Sequence, residues 1–277
     1  MALWPRLGAV PRTSLLTAYW RSVELLQPSP LCVDKPAAAL CASLLPPPAA
    51  AEFSRSPLFA SGQRILSVRT RFLDEWIERP AWPPVRTTKR QIVLLGAGMD
   101  TRAYRLGLSM HTTTLFEVDG DIELLNTKHD VLEAAGYRAR VPIVRCAADV
   151  SDVSALSKVL TEGGLDPTVP TRWVAEGLLE YLAPECHAPL FQLAARLGGA
   201  RGSGFAAQVL EPSFGDHVES LGVELPYQRL VPVDDVLVDL VSAGWGQIHA
   251  FSAPYFESKY SRRPHDGFSI VVASAES

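Results

Sequence analysis

Two glycines and three acids, each placed directly after an apolar run, are the residues whose types and order could build a small-molecule pocket in this chain. Ile92-Val93-Leu94-Leu95 runs into Gly96-Ala97-Gly98-Met99-Asp100, an apolar strand entering a two-glycine turn. Glycine lets the backbone approach a ligand closely, and a helix opening there would offer unpaired N–H groups. A tight strand-to-helix turn would use the same residues. Asp119 ends Phe116-Glu117-Val118, 119 − 96 = 23 residues beyond Gly96. An acid at that distance, at the tip of a second strand, can accept both ribose hydroxyls of an adenosine. Asp149, after Ala147-Ala148, can take the adenine amino group while the N–H of Val150 donates to the ring. Both acids compete with helix-capping roles, because Asp121 follows the first and Ser151 and Asp152 follow the second. Glu176 closes Trp173-Val174-Ala175. In open α/β sheets ligands bind at the carboxyl edge, so these positions converge on one crevice.

The kind of nucleotide turns on one position. A dinucleotide fingerprint places a third glycine where Thr101 stands, so the pattern is incomplete and S-adenosylmethionine (SAM) is favoured over NAD. An NAD-linked oxidoreductase and a non-catalytic binding module on the same fold are the rival readings.

The elements that must carry these residues are legible in the hydrophobic period. Strands are predicted near Gln91 to Leu95, Thr113 to Val118, Ile143 to Ala147, Arg172 to Ala175, Ser203 to Val209, Gln247 to Phe251 and Phe268 to Ala273. Helices are predicted near Asp100 to Leu106, Asp121 to Ala135, Val153 to Leu160, Ala183 to Leu197 and Val233 to Ala243, with a loop before the last strand as in a hairpin. That alternation predicts an α/β fold, a Rossmann-like, doubly wound, mostly parallel seven-stranded sheet. Ahead of it, Thr13 to Leu26 and Gln63 to Glu78 read as amphipathic helices, with a short one over Pro36 to Ala42 capped by Asp34. The stretch Leu45 to Ala51, with three consecutive prolines, reads as a turn or crossover rather than helix. The expected division is a helical extension or lid over residues 1–84 and a ligand-binding domain over 85–277.

Composition limits the partners. A net charge of −4 lacks the basic field that nucleic acid needs, and no apolar run reaches the length of a membrane span. Cys32, Cys41, Cys146 and Cys186 form no C-x-x-C pair, and His111, His129, His187, His249 and His265 have no metal-ligand spacing, so no metal is expected. A cytoplasmic protein is expected. Arg6, Arg12 and Arg21, in an opening free of acids, also fit an organellar transit peptide.

The segments Val68-Arg69-Thr70-Arg71-Phe72-Leu73-Asp74, Leu95-Gly96-Ala97-Gly98-Met99-Asp100-Thr101-Arg102, Phe116-Glu117-Val118-Asp119 and Ala175-Glu176-Gly177-Leu178-Leu179-Glu180-Tyr181-Leu182 resemble the leucine carboxyl methyltransferase family. That family includes bacterial polyketide O-methyltransferases of the tetracenomycin type, and the likeness covers nearly the whole chain from Pro11. The resemblance implies a class I SAM methyltransferase in which Arg69 pairs with the SAM carboxylate and Gly96 contacts the methionine part. It further implies that Asp119 holds ribose, Asp149 and Val150 hold adenine, and Glu176 closes the site. Helices ahead of the sheet would cover that site. The family's phosphatase-specific members are longer after the sixth strand, whereas only Tyr255 to Gly267 intervene here before the last one. A small-molecule methyl acceptor is therefore expected over a protein C-terminus.

A carboxylate acceptor needs no base, whereas a phenol or enol does. Tyr181, His217 and Glu211 are the nearby candidates, with Tyr181 and His217 placed as catalytic.

Overall fold

The computed structural model describes residues 4, 7–80, 88–226 and 229–275. Its centre is a seven-stranded sheet in the order β3-β2-β1-β4-β5-β7-β6. The strands are β1 (Arg90–Leu95), β2 (Thr113–Asp119), β3 (Ile143–Ala147), β4 (Thr171–Ala175), β5 (Gly204–Leu210), β6 (Trp245–Phe251) and β7 (Phe268–Ala275). β1 to β5 run parallel, and β7 lies antiparallel between β5 and β6. The predicted mostly parallel, doubly wound sheet is thus the one observed.

Burial explains the order. β1, β4 and β5 are buried along almost their whole length, as central parallel strands must be. β3 and β6 alternate with exposed positions and take the edges. One face is covered by the extension helices α1 (Ala9–Glu24), α2 (Lys35–Leu44), α3 (Pro47–Ser54) and α4 (Phe59–Glu78), with the short α5 (Arg102–Arg105) and α6 (Ile122–Ala134). The other carries α7 (Val153–Glu162), α8 (His187–Gly198) and α10 (Val233–Ser242). On that second face Phe205 meets Phe191 edge-on at 5.0 Å and Trp245 at 5.9 Å, three rings that each withdraw roughly 150–250 Å² from water. α9 (Pro212–Ser220) and α11 (Ala253–Tyr260) complete the element order.

Proline accounts for most departures from the expected elements. Leu45 to Ala51 does not stay a turn: Pro46 is the N-cap of α3, and Pro47 and Pro48 fill its first turn, where a missing N–H costs nothing. The connection before β7 is not a plain loop, because Pro254 fits the first turn of α11 and Phe256 anchors that helix in the core. The helix expected from Ala183 begins at His187, after two 3₁₀ turns at Leu179–Tyr181 and Pro184–Cys186. The helix expected after the glycine turn shrinks to the single turn α5. The boundary expected at residues 84 and 85 lies outside the described residues. No helix among the described residues is long and apolar enough to cross a membrane.

Candidate functional site

β1 pairs with β2 on one side and β4 on the other, so the chain leaves the sheet in opposite directions there and opens a crevice at their carboxyl ends. Register sets what faces it. Leu95 pairs with Val118 and with Ala175, which places Gly96, Asp119 and Glu176 as neighbours along the edge. Asp149 follows two residues after β3. A cavity of about 520 Å³ occupies the crevice, and Arg69, Gly96, Gly98, Asp119, Asp149, Val150, Glu176 and Tyr181 all line it. The size is that of a cofactor pocket.

Gly96 and Gly98 adopt φ of 64° and 41°, the left-handed region that suits glycine. At Gly98 the demand is doubled, since an added Cβ would lie 2.8 Å from Ser14 Cβ of α1. Asp119 accepts from Gly98 N at 2.8 Å and from Asp121 N at 3.0 Å, one bond per oxygen. A carboxylate has about four acceptor sites, so two remain for hydroxyls. Asp121, not Asp119, caps α6 by accepting from Leu124 N. Asp149 accepts from Ser151 N at 2.9 Å and its hydroxyl at 2.7 Å, and Asp152 takes the capping of α7.

Behind the floor lies a charge network. Glu176 forms ion pairs with Arg69, whose Nε lies 2.7 Å away, and with Arg102 at 2.6 Å. Burial would raise this carboxyl, but Arg102 and Arg69 outweigh it and hold it at about 2. Arg102, only 2 % exposed, also pairs with Asp74 at 2.8 Å and with Asp100. Arg105 bridges Asp74 and Asp34. Asp34, the expected cap of α2, accepts from Arg21 Nε at 2.8 Å and from Thr101 Oγ1 at 2.7 Å. Burial acts to raise Asp34, and the guanidinium groups of Arg105 and Arg21 hold it below the usual carboxylate range. Arg21 then donates to Met99 O at 2.7 Å, tying α1 to the glycine turn. Arg102 Nη2 lies buried without a hydrogen-bond partner, a donor available to an anion in the cavity.

Arg69 also donates to Gln208, whose amide donates to Glu180 at 3.0 Å. Burial pushes the Glu180 carboxyl up to about 7. Tyr181 lies in the 3₁₀ turn with its hydroxyl donating to Thr13 Oγ1 at 3.3 Å, and burial pushes the phenol up to about 12. It is therefore a donor rather than a base at neutral pH.

His217 is not brought to the cavity. It sits on α9 and stacks on His265 at 4.6 Å, while Glu211 precedes α9 and accepts from Ser269. Among the described residues no group of three His, Cys, Asp or Glu side chains could hold a metal. The unpaired N–H groups expected at a helix opening after the glycine turn are not all free, because α5 is one turn long and Asp100 accepts its first N–H at 2.7 Å. Sequence reasoning missed Arg21, Asp74 and Arg102. Asp74 and Arg102 fall inside the motif segments, but only their burial reveals a role.

The sequence pattern of the family described as leucine carboxyl methyltransferase matches residues 14–195. A protein of Saccharopolyspora erythraea, provisionally assigned as an S-adenosyl-L-methionine-dependent methyltransferase, is 35% identical over 207 residues, covering 74% of this chain and 69% of its own. One of Mycolicibacterium paratuberculosis, with the same provisional assignment, is 33% identical over 68% of this chain, and the match spans 62% of that relative. The chain thus spans a little under or over two thirds of these relatives. A solved structure of a provisionally assigned methyltransferase from Thermobifida fusca superposes with a TM-score of 0.56 at 14% identity, covering 88% of this chain and 95% of that one. At that identity the likeness speaks for the fold.

Proposed function

The chain belongs to the leucine carboxyl methyltransferase family, and from that premise we propose that it transfers a methyl group from SAM to a carboxylate or hydroxyl oxygen of a small molecule. The observation that carries this reading is the cavity at the β1/β4 switch point, where the glycine turn, Asp119, Asp149 and the Arg69–Glu176–Arg102 cluster face one space.

The residues present fit the cofactor. Asp119 has acceptor capacity for ribose, and the peptide N–H of Val150 lies beside Asp149 where an adenine edge needs a donor and an acceptor. Arg69 and the unpartnered Nη2 of Arg102 supply donors for an amino-acid carboxylate. When bound, SAM supplies an activated methyl group on a sulfonium. The protein's part is to hold the acceptor oxygen about 3–3.5 Å from that carbon and in line. Tyr181 orients the acceptor side, and α1, held over the glycine turn by Arg21, keeps water out. A small acceptor is favoured because the segment between β6 and β7 holds only α11.

Calorimetric titration with SAM tests the reading. Wild type should bind in the micromolar range, and Asp119→Ala and Arg69→Ala should each weaken binding by about tenfold or more, roughly 1.4 kcal/mol. Folded wild-type protein that shows no heat with SAM would refute it.

A further inference from the structure

We propose that Glu180 and Gln208 are positioning residues for Arg69: together they aim its guanidinium at the cofactor's carboxylate, and ionisation of Glu180 weakens that grip. This rests on the methyl-transfer reading and deepens it. Arg69 lines the cofactor cavity, whereas Glu180 and Gln208 stand behind it, so both act through the guanidinium.

Donor and acceptor rules fix the chain of contacts. A guanidinium only donates, so the Gln208 atom facing Arg69 Nη1 is its carbonyl oxygen. The amide nitrogen then points the other way, where Glu180 Oε1 accepts from it at 3.0 Å. Gln208 is 1 % exposed within β5, so the amide has no water to turn to and its orientation depends on these two partners. Gly177 lets the ends approach. Its φ is 63°, and a Cβ there would lie 3.3 Å from Arg69 Nη1 and 4.0 Å from Glu180 Oε1.

The second oxygen of Glu180 makes its charge matter. Oε2 is buried without a hydrogen-bond partner, a setting that suits a neutral carboxylic acid and penalises an anion. Burial, supported by Glu176 after β4, pushes the carboxyl up to about 7 against the pull of Arg69 on α4. Tyr181 beside it keeps its phenol proton. His187 of α8 donates to Leu179 O of the same turn at 3.1 Å, and burial holds it below the ordinary imidazole value, so it stays neutral. While Glu180 is neutral, Arg69 keeps its attraction for an incoming carboxylate beyond its pairing with Glu176. Once ionised, Glu180 sets a second carboxylate beside the same guanidinium and offsets that attraction. The coupling is reciprocal: a cofactor carboxylate on Arg69 raises the proton affinity of Glu180 by the same factor.

The test titrates the full chain with S-adenosylhomocysteine by calorimetry from pH 6 to 8.5, beside 5′-methylthioadenosine, which keeps the adenosine and thioether but has no carboxylate. S-adenosylhomocysteine affinity should fall by about tenfold over that range while methylthioadenosine affinity stays level. At pH 7.5, titrations in buffers of different ionisation heat should show S-adenosylhomocysteine binding with uptake of a fraction of a proton. Glu180→Gln, neutral at every pH, should abolish both the slope and the uptake. Gln208→Leu, which breaks the link, should weaken S-adenosylhomocysteine by about fivefold and leave methylthioadenosine alone. Circular dichroism checks each fold, and the slope and the uptake in wild type carry the test if a variant fails to fold. A level wild-type profile, the same slope for methylthioadenosine, or a slope that survives in Glu180→Gln would overturn the role of Glu180. Unaltered binding by folded Gln208→Leu would overturn that of Gln208. A wild-type chain that binds neither ligand would overturn the methyl-transfer reading itself.

Discussion

The floor of the crevice and its helical cover are built in opposite ways. On the floor Asp119 and Asp149 are steadied by near neighbours, Asp119 by the N–H of Asp121 beside that of Gly98 and Asp149 by Ser151, with Asp121 and Ser151 each two residues away. The cover is held by partners far apart in the chain, 67 residues for Thr101 to Asp34, 78 for Arg21 to Met99 and 139 for Arg69 to Gln208. Local bonds position a side chain without carrying the fold, so floor acids can be changed at the expense of binding alone. The clasp buries paired charges, and removing one member strands the others.

The largest test of this contrast is Arg102→Ala. It leaves Glu176, Asp74 and Asp100 without their shared guanidinium, and urea unfolding should show a loss of about 3–5 kcal/mol. Asp119→Ala, measured beside it, should unfold close to wild type. Equal stabilities for the two variants would erase the distinction between floor and clasp.

Glu180 sharpens it at the next level. Its carboxyl stands at about 7 in the folded chain against an ordinary 4.5, so the folded state keeps the proton that the unfolded state has released. The contribution is fully present below pH 4.5 and is lost as pH rises through 7, by up to a few kcal/mol. Glu180→Gln should remove that loss, so wild type should fall relative to the variant between pH 5 and 8. Parallel stability curves would show that the carboxyl is not protonated in the fold. Glu176 acts in the opposite sense: held at about 2, it contributes stability that drains away as pH falls from 4.5 toward 2.

The smallest effect is expected two residues from Arg69. Arg71 lies on the open side of α4, half exposed and paired with Glu75. Arg71→Ala should change stability by no more than about 0.5 kcal/mol and leave SAM affinity unaltered. A loss like that of Arg69→Ala would mean that charge near the crevice matters more than contact.

Much of this molecule is visible along the chain. The strands were legible because β1, β4 and β5 each carry a short apolar run, and the crevice because two glycines and three acids each follow such a run. Where prolines crowd, the pattern misleads: Pro47 and Pro254 sit in the first turns of helices, which do not use the N–H they lack. His217 looked equivalent to Tyr181 on spacing alone, yet one faces His265 and the other the cavity.

By itself the sequence determined the doubly wound sheet, the helical extension and the floor of the crevice, since hydrophobic period and short-range turn chemistry are local properties. Only the tertiary structure decided that Arg21, Asp34, Asp74 and Arg102 form one buried clasp, and that Trp20 lies against Gly62. Those facts depend on which distant faces meet, and a charge reveals its role only when the surrounding dielectric and partners are known.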